Sequence, residues 1–131
     1  MNYLLYGLVY AAQLALTFPN FYRQCTRLSV PSLLLYFAHH LVDVFLFWSF
    51  LFLTNRAEFI AHFVLVLIVA THWFMNQNRC VATVTMNRMC GFPEGDWLDS
   101  LKNRLGLRHI SEYFHFIWIG ALMVQDIYKL Q

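Results

Sequence analysis

AEFIAHFVLVLIVATHWFMNQNRC, residues 57–80, stays almost wholly apolar from Ala57 to Phe74 and then turns polar within a few positions at Asn76, Gln77, Asn78 and Arg79. Eighteen helical residues rise about 27 Å, close to the roughly 30 Å of a bilayer's hydrocarbon core. Trp73 falls where an aromatic belt meets the headgroups, and the Asn-rich stretch after it reads as the exit into water. This reading is a membrane crossing, and the rest of the chain agrees with it.

The 131 residues are 60% hydrophobic and 12% charged, whereas soluble domains carry about 25% charged residues. A domain near this size buries only about 70% of its chain surface, so a soluble fold would leave a large apolar remainder in water. Lipid is the solvent that fits. The formal charge of +2 is too small to mark a nucleic-acid-binding surface.

Working upstream, Thr54-Asn55-Arg56 is a tight turn, and residues 31–53 form the preceding crossing. Ser29 is placed to cap it, and Pro31 sits where its missing N–H is harmless. Before that, residues 3–22 read as a first crossing, with Pro19-Asn20 as its break and no basic stretch or small-x-small site that would make it a cleaved leader. Downstream, residues 110–130 read as a fourth crossing, although Glu112, His115, Gln125 and Asp126 interrupt it. The fold expected is therefore all-α, a single domain built as an integral membrane four-helix bundle running up-down-up-down. The long loop 76–109 is expected to carry one short amphipathic helix at the interface, about residues 96–105.

Orientation follows from charge. Loops 19–32 and 76–109 carry Arg23, Arg27, Arg79, Arg88, Lys102, Arg104 and Arg108, against Arg56 and Lys129 on the other side. Seven against two puts both loops on the inner, cytoplasm-equivalent side and both termini on the outer side. Facing a reducing compartment, Cys25, Cys80 and Cys90 are expected to be free thiols. Arg79, Arg88, Trp97, Lys102, Arg104 and Arg108 are the expected contacts to lipid or to a partner protein.

Ionisable groups inside lipid each call for an explanation, at about 2.5–3.5 kcal/mol apiece near mid-helix. His39, His40, Asp43, His72, Glu112 and His115 share the inner leaflet under this topology, and His62 stands apart toward the outer side. The cluster reads first as a set of hydrogen bonds holding helices in register. The alternative is a redox or transport site, with haem, a metal ion or a proton path among these six residues. Glu112-x-x-His115 has the spacing of helix-borne iron ligands, but a di-iron bundle needs two such elements and about four carboxylates. A haem needs two facing histidines, such as His39 or His40 opposite His115. Zinc at Cys25, Cys80, Cys90, His72 and His109 lacks any C-x2-C pair. Nucleophile elbows, acyltransferase boxes and glycine-rich phosphate loops are missing from the sequence, so no enzyme activity and no cofactor is expected.

His72-Trp73, Asn76-x-Asn78-x-Cys80-x-x-Thr83, Asn87-x-x-Cys90-Gly91, and Asp99-Ser100 through Asn103-Arg104-Leu105-Gly106 together cover roughly residues 71–108. In these motifs the chain resembles a group of small, uncharacterised polytopic membrane proteins of large DNA viruses and some microbes. The resemblance implies a setting, the internal membrane of a virion, and a structural or assembly role beside other subunits of a membrane or capsid-associated assembly. It implies no activity.

Overall fold

The computed structural model describes residues 1–77, 79–92 and 114–131, with side chains of the last helix described from Phe116 on. Among them, every regular element is a helix: α1 Tyr3–Gln24, α2 Val30–Trp48, α3 Arg56–Met75, α4 Val81–Cys90 and α5 Phe114–Leu130. A short 3-10 turn, Ser49–Leu51, ends α2. The expected interfacial helix at 96–105, with Trp97, Lys102, Arg104 and Arg108, lies outside the described residues, as do residues 110–113.

Local chemistry explains where the helices begin. Asn2 caps α1 by accepting from the Leu5 amide, and Ser29 and Ser32 form a reciprocal capping box at α2, with proline in the first turn. Asn55 and Glu58 do the same for α3. One expectation fails here: Pro19 does not end α1, which continues to Gln24. Proline removes one amide from the ladder, but a membrane helix tolerates it when neighbours satisfy the freed carbonyls. Close by, the Thr17 hydroxyl donates to the Gln13 carbonyl at 2.8 Å, and Arg23 Nε donates to the Pro19 carbonyl at 3.1 Å.

α1, α2 and α3, the second taken with its 3-10 extension to Leu51, are long and apolar enough to cross a membrane. Their outward faces are bare: Leu4 is 76% exposed, Leu16 73% and Ile68 60%. α5 has 17 residues, a little short of the usual crossing length. It packs antiparallel to α3, because Phe116 lies against Trp73 at one end (ring centroids 6.1 Å apart) and Leu130 joins Phe52, Leu53 and Phe59 at the other. α2 is the common neighbour, touching α1, α3, α4 and α5.

Two further findings depart from expectation. α4 is an additional helix inside the stretch read as loop, and it packs on α2. Its Met86 and Cys90 are buried with Phe21, Cys25 and Tyr36. Secondly, Cys25 and Cys90 are disulfide-bonded, not free; only Cys80 keeps its thiol. They are 65 residues apart in sequence, so no spacing rule could pair them. Cys90 reaches Cys25 because α4 folds back beneath the α1–α2 connection, where the Thr26 amide and hydroxyl both donate to the Cys90 carbonyl at 3.1 and 2.9 Å.

Candidate functional site

His39, His40 and Asp43 lie along α2 at i, i+1 and i+4, and the structure gives the two histidines opposite roles. His40 is 1% exposed and faces α1, where the Gln13 side-chain amide donates to its Nδ1 at 2.7 Å. An amide nitrogen can only donate, so the ring proton is on Nε2, which approaches Thr17 Oγ1 at 3.5 Å. That hydroxyl already donates to Gln13, so it accepts from the Tyr36 hydroxyl at 2.5 Å. Each donor therefore meets an acceptor, and His40 is a neutral clasp between α1 and α2.

His39 faces α4. Its Nδ1 is 2.9 Å from Asp43 Oδ2, near enough for charge attraction though not aligned as a hydrogen bond, and its Nε2 is 3.4 Å from both Cys80 Sγ and Thr83 Oγ1. Asp43 is farther from His40, at 3.7 Å, where the Nδ1 lone pair is already taken by Gln13. The carboxylate therefore acts on His39. Cys80 is the N-cap residue of α4. Burial pushes its thiol up, but the His39 hydrogen bond and the Thr83 and Ala82 amides outweigh that and bring it down to about 7. A helix N-terminus and a basic neighbour are the usual means of activating a thiol.

His72 is elsewhere engaged: its Nε2 accepts from the Val81 amide at 3.3 Å, capping α4 from the end of α3. The polar run after Trp73 is a corner. Asn76 ends α3 and donates from its side chain to the Arg79 carbonyl at 2.7 Å, and Gln77 takes a left-handed φ of 53°. Arg79 and Arg88 line one groove of about 370 Å³ with Met75, Asn76, Val81 and Val84. Glu112 and the His115 side chain lie outside the described residues. Among the described residues, no three His, Cys, Asp or Glu side chains are grouped to hold a metal ion.

The structure also pairs two residues that the sequence left apart. His62 on α3 and Asp126 on α5 are 0% and 1% exposed, with Nδ1 and Oδ2 2.5 Å apart. His62 Nε2 is 3.0 Å from the Leu46 carbonyl. A carbonyl cannot donate, so Nε2 carries a proton and one further proton lies between Nδ1 and the carboxyl group. The pair is thus neutral whichever partner holds that proton, as burial requires. Trp118 on α5 donates likewise to the Phe47 carbonyl at 3.1 Å. These carbonyls belong to the last turn of α2, which has no intrahelical donors of its own. Depth was the available signal: His62 is six residues from the start of α3 and Asp126 four from the end of the antiparallel α5.

No family model, curated protein or solved structure matches the chain.

Proposed function

We propose that this chain is a multi-pass membrane protein with a structural or assembly role, whose working surface is the arginine-bearing face. The observation that carries this is how its intramembrane polar groups are used. Gln13 to His40 joins α1 to α2, His39 to Cys80 joins α2 to α4, His62 to Asp126 joins α3 to α5, and Trp118 to Phe47 joins α5 to α2. Such bonds fix helices in register, while the apolar outer faces are left to lipid. The antiparallel packing of α5 on α3 supports four crossings, with the termini on the outer side and loops 19–32 and 76–109 on the inner side. A slightly short helix is accommodated by local thinning of the bilayer.

Two signals bear on the membrane concerned. The arginine count assigns the loops to a cytoplasm-equivalent face, yet the Cys25–Cys90 bond on that face needs an oxidising setting. An inner face that leaves the cytosol inside a particle meets both demands, which supports the internal membrane of a virion. Arg79 and Arg88, with Trp97, Lys102, Arg104 and Arg108, are then the contacts to neighbouring subunits or acidic lipid. Extraction of the native membrane in mild detergent followed by affinity capture tests this. A stable set of co-purifying subunits is expected; a chain that migrates alone would refute the assembly role.

One observation favours a second reading. The His62–Asp126 couple shares a proton, and Asp126 Oδ1 is buried with no hydrogen-bond partner among the described residues, so the site has a place for a second proton. Proton flux into liposomes that is abolished by Asp126→Asn would support transport; equal flux with and without the protein would dispose of it.

A further inference from the structure

We propose that Cys80 is a nucleophile that accepts a long-chain acyl group from a phosphate-bearing acyl thioester, with His39 as its base and Asp43 as the residue that positions His39. This goes beyond a structural role. Nothing in that role calls for the one free thiol to sit 3.4 Å from an imidazole whose far nitrogen is 2.9 Å from a carboxylate. A nucleophile, a base within reach, and a third group orienting the base form the arrangement that activates thiols for acyl transfer. The first-turn amides of α4 supply the positive end of a helix dipole next to the sulfur.

The surroundings select the acyl donor. Phe74 and Met75, just before the corner, are 83% and 80% exposed, and Val81, just after Cys80, is 52% exposed, so an apolar chain has a track at the membrane edge. The groove that includes Arg79 and Val81, the two sequence neighbours of Cys80, also holds Arg88. Two guanidinium groups there suit the phosphates of a coenzyme-A-like carrier.

The step balances without an outside oxidant or reductant. His39 Nε2 takes the Cys80 S–H proton, and the thiolate attacks the thioester carbonyl carbon. The carbon–sulfur bond to the carrier breaks as the new one forms. The carrier leaves as a thiolate and takes the proton from His39. The products are S-acyl-Cys80 and the free carrier thiol.

The test uses the full chain in detergent, with its Cys25–Cys90 bond intact, incubated with palmitoyl-CoA and read by intact mass. One acyl group is expected, removable by neutral hydroxylamine and absent in Cys80→Ser. His39→Gln is expected to slow acylation roughly 10²-fold or more. It should also move the midpoint of Cys80 alkylation by iodoacetamide from about 7 toward the free-thiol value of about 8.5. Asp43→Asn should move that midpoint in the same direction by less. Arg79→Gln with Arg88→Gln should raise KM for palmitoyl-CoA by about tenfold or more, the loss of one charge-assisted contact. The unaltered protein should prefer palmitoyl-CoA to palmitoyl-N-acetylcysteamine, which has no phosphate. Because alkylation is read on every variant that retains its disulfide, misfolding is separable from loss of activation. Absence of acyl transfer to Cys80, an unchanged rate and alkylation midpoint in His39→Gln, or equal use of the two donors would each overturn the proposal.

Discussion

His62 and Asp126 show how a single proton makes burial tolerable. Removing either partner breaks the neutral couple, but the two losses are unequal. Asp126→Ala leaves His62 free to become a neutral imidazole that still donates to the Leu46 carbonyl, with one nitrogen unpaired, at about 1–3 kcal/mol. His62→Ala strands both the Asp126 carboxyl group and the Leu46 carbonyl, so the loss should be nearer the roughly 3–5 kcal/mol of a broken buried pair. Detergent-based unfolding of the two variants checks the order, and a larger loss from Asp126→Ala would refute the proton assignment. At this scale the sequence was only partly legible. His39, His40 and Asp43 stood out because charges in apolar helices always do, yet their division into a neutral clasp and a thiol partner depends on which neighbour each ring meets. Gln13, Thr17 and Cys80 supply those neighbours from segments 19 to 41 residues away, and periodicity carries no information about such meetings.

α4 is the element that sequence patterning misses, for a physical reason. It is ten residues long and mixes Thr, Asn and Arg with Val and Met, so it is too short and too polar to announce itself as a crossing. Its ends are fixed instead by other elements: His72 caps the start, and at the finish Gly91 adopts a left-handed φ of 69° and Cys90 is bonded to Cys25. A side chain at Gly91 would be strained by that φ, and its Cβ would lie 2.9 Å from Thr26 Oγ1. Gly91→Ala should therefore cost about 1–2 kcal/mol or more, measurable as a lower unfolding midpoint, and an unchanged midpoint would refute the cap. The disulfide invites a larger estimate. Closing a loop of its 65-residue separation stabilises a soluble chain by about 4 kcal/mol on chain-entropy grounds. Here α2 and α3 lie within the loop and, as membrane helices, remain inserted and folded when tertiary contacts are lost, so the loop is never a free coil. Reduction should accordingly cost well under that figure in an unfolding titration with and without reductant. A loss of the full amount would mean that the intervening helices leave the bilayer.

For the whole molecule, hydropathy and capping residues made the helices legible from the sequence because each span is a local property. Ser29, Asn55 and the apolar lengths of α1 to α3 needed no partner to be read. The packing order around α2 was not legible, since four helices of similar outer faces can be arranged in several ways. Contacts such as Trp73 with Phe116 and Leu130 with Phe59 choose among them. Those contacts carry the last prediction. If α5 crosses the bilayer beside α3 in the opposite sense, its end and the α2–α3 turn emerge on one face, and the arginine-bearing corner before α4 emerges on the other. In a Cys80→Ser background, single cysteines introduced by Asn55→Cys and Lys129→Cys should react with a membrane-impermeant maleimide from the same side of sealed vesicles. A cysteine introduced by Arg88→Cys should react from the opposite side. The decisive position is Lys129. Labelling there together with Arg88→Cys would mean that α5 turns back without crossing, in which case the four-crossing topology and the inner-face assignment of the arginines would both fail.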